Sequence, residues 1–178
     1  MTSVTKKITT NTRVIKDLFT KYTDTFIALK ELLNNSIQAK AKSINLQIDY
    51  TEDLLCKSSI KQIEIFDDGH GVSYSDFDKK ILEIGTTAKE KGQGIGRFSS
   101  FQIGELMHIE TIGYDDIKNS FSKTSLSIDT TDFQDAQLEQ TEFKVDYEYF
   151  PQKINTHYKV VIQNLYHNVS FPPLVQRL

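Results

Sequence analysis

The sequence predicts an α+β fold, a two-layer sandwich with helices packed on one face of a mixed, mostly antiparallel sheet. Three observations predict it. Helix-period apolar patterns lead the chain, and strand-period patterns take over from Leu106 onward. The run Phe143, Val145, Tyr147, Tyr149 keeps a period of two, as a strand with one buried face requires. No internal repeat or sharp composition break divides the 178 residues, a length that suits one domain with a real core.

The elements follow in order. Residues 1–11 are Thr- and Lys-rich and are expected as a flexible arm. A short helix is expected over Thr12–Tyr22, burying Val14, Ile15, Leu18 and Phe19. Thr23 and Asp24 are N-cap residue types for a second helix reaching about Ala41, with Phe26, Leu29, Leu33 and Ile37 as its core stripe. Ile44, Leu46 and Ile48 alternate as a strand does, and Ile63 and Ile65 repeat the pattern up to Asp67-Asp68-Gly69. Tyr74–Ile84 reads as a helix, 85–96 as a Gly/Thr/Lys-rich loop, and a helix restarts near Arg97. Strands are expected over Leu106–Ile112, Thr124–Ile128, Phe143–Tyr149 and Tyr158–Leu165. The domain is expected to span 12–170, with 171–178 opening a linker to a further region beyond Leu178.

Composition narrows the function classes. The formal net charge is −3, so no global basic surplus points to nucleic acid. The single cysteine, Cys56, cannot form an internal disulfide, which suits a reducing, cytoplasmic setting. No apolar run is long enough to span a bilayer, so no membrane partner is expected.

Three polar features stand out. On the second helix Glu31, Asn35 and Gln38 share a stripe, flanked by the small residues Ala28 and Ala39. Alone, that stripe reads first as a solvated outer face and only second as a site. In Ile63-Glu64-Ile65-Phe66-Asp67, alternation sets Asp67 on the face of Ile63 and Ile65, where a carboxylate needs donors. The same residues also suit a strand ending in an ordinary Asp-Gly turn. Gly92-Gln93-Gly94-Ile95-Gly96-Arg97 offers bare backbone N–H groups before a helix, an anion cradle or a surface loop. It lacks the Lys-Ser/Thr pair of a P-loop and does not directly follow a strand.

Taken together and in this order, the features resemble the GHKL ATPases: gyrase-type topoisomerases, the ninety-kilodalton heat-shock chaperone, histidine kinases, and the MutL and MORC proteins. The resemblance runs from about Tyr22 to Leu165 and implies the Bergerat ATP-binding fold. Lys30-Glu31-Leu32-Leu33-Asn34-Asn35-Ser36-Ile37-Gln38-Ala39 is similar to the first box of the family. The likeness implies Glu31 as the general base and Asn35 as the magnesium ligand, with Gln38 and Ala39 beside the nucleotide. Asp67-Asp68-Gly69-His70-Gly71 is similar to the second box. Asp67 is then the acceptor for the adenine amino group, with Gly69, Gly71 and Val72 lining the base. Thr86, Thr87, Lys89, Gly92, Gln93, Gly94, Ile95, Gly96, Arg97 and Phe98 are similar to the ATP lid.

Two positions depart from the pattern. Gln38 stands where the family usually has Asp, and His157-Tyr158 where it often has Gly-Thr near the base. The resemblance implies ATP and magnesium as ligands, slow ATP hydrolysis, and ATP-dependent self-association of a chaperone-like or MORC-like protein. A downstream domain would then supply a lysine to the γ-phosphate. The other readings it leaves are a histidine-kinase catalytic domain and a nucleotide-gated binding module without useful turnover.

Overall fold

A computed structural model describes residues 1–7, 9–10, 25–52, 58–84, 96–133 and 142–166. The fold is a sheet-rich α+β fold. Its centre is a seven-stranded sheet built from β1 (Thr2–Lys7), β3 (Ile44–Glu52), β4 (Ser58–Asp67), β6 (Gly104–Asp115), β7 (Ser120–Asp129), β8 (Glu142–Phe150) and β9 (His157–Leu165). The spatial order is β1-β8-β7-β6-β9-β4-β3. Every pair in it is antiparallel. The mixed sheet expected from the sequence is therefore resolved into two. The parallel pairing is confined to β2 (Thr9–Thr10) against β5 (Glu83–Ile84), a separate two-stranded sheet.

The register explains which strand residues are buried. Antiparallel partners share a face. Ile65, Val160, Ile109, Leu126 and Val145 thus form one inward row, and Ile63, Ile162, Met107 and Ile128 the next. Ala28, Leu29 and Leu32 of α1 (Thr25–Gln38) belong to the same hydrophobic cluster, as do Phe77, Ile81, Leu82 and Phe101. Fully burying one such aliphatic side chain contributes roughly 1.5–3 kcal/mol. Among the described residues no helix is long and apolar enough to cross a membrane.

Three expectations are corrected. The arm expected at residues 1–11 is, over Thr2–Lys7, an edge strand paired with β8 from Thr2↔Tyr147 to Lys7↔Glu142. Val4 packs beside Val145, while the Lys6 ammonium lies 2.6 Å from Asp78 and 4.2 Å from the Tyr74 ring centroid. The expected helix Tyr74–Ile84 is instead one α-turn, α2 (Tyr74–Phe77), then a π-turn over Asp78–Leu82 and the strand β5. The third concerns the core stripe of α1. Leu29 is buried, but Phe26 and Leu33 are half-buried and Ile37 is 63% exposed. The inward face is Ala28, Leu29, Leu32 and Ser36, because small residues let the helix approach the sheet. The helix expected over Thr12–Tyr22 lies outside the described residues, as does Cys56.

Candidate functional site

Asp67 ends β4 on the inward face and is 1% exposed. Its Oδ2 accepts from the Ser36 hydroxyl at 2.7 Å, and its Oδ1 from the Gly69 amide at 2.9 Å. Ser36 lies on α1 immediately after Asn35 and one turn beyond Leu32, so this hydrogen bond joins the helix to the end of the strand. An ionised carboxylate offers about four acceptor positions. Among the described residues Ser36 and Gly69 take two of these, which leaves acceptor capacity for an incoming donor.

The chain after Asp67 is held against the sheet. The His70 amide donates to the Ala39 carbonyl at the end of α1. Gly71 has φ +62°, and a Cβ there would lie 1.9 Å from the Ile112 carbonyl oxygen and 2.8 Å from that of His157. Only glycine fits both the left-handed backbone and the close approach. Three side chains of β6 and β7 then clasp the next residues. The Val72 amide donates to Thr111 Oγ1 at 2.8 Å, the Tyr74 amide to Ser122 Oγ at 2.8 Å, and Ser75 Oγ to Asp115 Oδ2 at 2.6 Å. Thr111, Ser122 and Asp115 are all fully buried.

Asp115 also accepts from Tyr149 and from the Ile117 and Lys118 amides. Burial pushes its carboxyl pKa up, but the donors from Ser75, Lys118 and Tyr149 outweigh burial and hold it below the ordinary range. Asp68 turns outward and accepts from the Lys42 and Ser43 amides at 2.7 and 2.8 Å. The Ser43 amide is the main reason its pKa is lowered, against partial desolvation.

Glu31 and Asn35 are half-buried on the flank of α1 next to its inward face, and Gln38 is exposed. Ala39 is half-buried at the helix end. Among the described residues no group of three or more His, Cys, Asp and Glu side chains could hold a metal ion. The Asn35 amide oxygen suits a hard cation that keeps waters and phosphate oxygens as its other ligands.

This geometry unites a strand-end carboxylate, a glycine turn and a polar helix flank. Residues 22–157 match the family of histidine kinase-, DNA gyrase B- and HSP90-like ATPases. The chain belongs to this family. No curated protein sequence matches the chain.

The two stretches expected as the family boxes lie on described elements of this GHKL-type domain, α1 and the end of β4. The lid residues Thr86, Thr87, Lys89, Gly92, Gln93, Gly94 and Ile95 lie outside the described residues. Gly96, Arg97 and Phe98 open a 3-10 segment, Gly96–Gln102. That segment is anchored to the first-box helix, since Ser99 Oγ donates to the Ala28 carbonyl at 2.8 Å. Tyr158 stands directly across from Asp67 on the inward face.

Sequence reasoning missed Ser36, Thr111, Ser122 and Asp115. Their signal was present. In β6 the period-two set Met107, Ile109, Thr111, Gly113, Asp115 turns from apolar to polar halfway along one inward face.

Proposed function

We propose that this domain binds ATP between α1 and the β4 end, hydrolyses it slowly, and uses binding to drive conformational change and self-association, as a chaperone-like or MORC-like ATPase does. The observation that carries the reading is the Ser36–Asp67 hydrogen bond. It fixes the helix of Glu31 and Asn35 against the strand end of Asp67, so that one nucleotide can meet both. ATP-binding family membership over residues 22–157 supports the same conclusion.

Each residue then has a task. Asp67 accepts the adenine amino group through its remaining acceptor positions. Gly69 and Gly71 keep side chains away from the base. Asn35 would hold magnesium, with Gln38 a turn further along. When bound, magnesium neutralises charge on the phosphates. Glu31, one turn before Asn35, orients a water and takes its proton. The water oxygen forms a bond to the γ-phosphorus as the bond to the β–γ bridging oxygen breaks, giving ADP and phosphate. The residues expected as the lid would meet the phosphates, and the Ser99–Ala28 bond ties the 3-10 segment to the helix of Glu31.

The test is a crystal structure of the chain with a non-hydrolysable ATP analogue and magnesium. The adenine amino group is expected within hydrogen-bond distance of Asp67, and the metal on Asn35. A nucleotide bound elsewhere overturns the assignment.

A further inference from the structure

Resting on that reading, we infer that Thr111 is a positioning residue for base recognition, setting the carboxylate of Asp67 through the turn 69–72. Thr111 is on β6, two strands away from β4, and does not touch Asp67 through any hydrogen bond. It is 0% exposed, and both capacities of its hydroxyl are used. The hydroxyl donates to the His157 carbonyl at 2.9 Å and accepts from the Val72 amide at 2.8 Å. It thereby ties the turn to the start of β9.

The chain of contacts to Asp67 is short. Gly71 is wedged against the carbonyls of Ile112 and His157, the same seam that Thr111 closes. Gly69, two residues earlier, donates its amide to Asp67 Oδ1 at 2.9 Å. Ser36 holds Oδ2 from the other side. With the turn fixed, the carboxylate has one orientation and presents its remaining acceptor positions in one direction. Without Thr111, the Val72 amide loses its acceptor and the His157 carbonyl its donor. The turn then has fewer restraints, and so does the oxygen that Gly69 holds. Pre-set acceptors discriminate between bases that differ only in one donor, because the wrong base leaves a buried polar group unpaired.

The test compares the wild-type chain with Thr111→Val and Thr111→Ser by calorimetric titration with magnesium ATP and magnesium inosine triphosphate. The second nucleotide carries a carbonyl oxygen where ATP has its amino group. Wild type should prefer ATP. Thr111→Val should weaken ATP by at least about tenfold and narrow the preference, while Thr111→Ser restores both. If Thr111→Val does not fold, Thr111→Cys keeps the volume with a weak acceptor and should behave as the valine variant would. Unchanged ATP affinity in the folded variant overturns the inference. So does an equal loss for both nucleotides, which marks a merely structural role. No ATP binding by wild type overturns the proposed function and this inference with it; normal wild-type binding with an unaffected variant removes this inference alone.

Discussion

Glu31 and Asp67 are both acidic, yet their surroundings give them different work. Asp67 is buried and its oxygens are partly committed to Ser36 and Gly69. That is the setting of a fixed acceptor. Glu31 is half-buried on a helix flank, free to meet a water. Glu31→Ala should therefore lower hydrolysis about 100-fold to 10,000-fold, the usual effect of losing a general base. ATP affinity should persist, since Asp67 and Asn35 remain. Phosphate release measured beside ATP titration checks both. Equal turnover in mutant and wild type would remove Glu31 from the chemistry.

Legibility at this scale depended on residue size. Asp67 could be read because alternation from Ile63 and Ile65 forces it inward. Ser36 could not, because the helix was phased on its large apolar residues. Phe26 and Ile37 looked like core, whereas Ala28 and Ser36 let α1 come close enough for the hydrogen bond to Asp67.

Among the elements, the long strands were legible within a few residues. Each buries one face, and the register rewards a strict period of two. β1 was not, since Thr2–Lys7 holds one aliphatic residue and its pairing with β8 is set across most of the chain. Nor was the clasp of residues 72–75 by Thr111, Ser122 and Asp115, which exists only once β6 and β7 pair.

The β6–β7 hairpin carries a pH prediction. The folded-state pKa of Asp115 is lowered, so its contribution to stability is fully present above the unfolded value of about 3.9 and is lost as pH falls through the folded value. Melting followed by circular dichroism should show wild type losing stability from about pH 5 downward. Asp115→Asn should start less stable at neutral pH and show a shallower acid slope. An identical slope in the variant would mean that Asp115 is not among the groups responsible.

At the scale of the whole molecule, the fold joins α1 to the end of β4 through Ser36 and Asp67, 31 residues apart in the chain. The sheet supplies the strand end, α1 supplies the polar flank, and the 3-10 segment ties the end of the glycine-rich stretch back to α1. Family membership supports ATP as the ligand, and the proposed seat of its base is Asp67.

Asp67→Asn tests that claim most directly. The asparagine oxygen can still accept from Gly69, and its amide can donate to Ser36 once that hydroxyl rotates, so the fold should survive. The adenine amino group would lose its acceptor and face another donor, at a cost of roughly 1–3 kcal/mol or more. Calorimetric titration with magnesium ATP should show binding to wild type, and binding at least about tenfold weaker to the folded variant. Unchanged ATP affinity in folded Asp67→Asn would contradict the account.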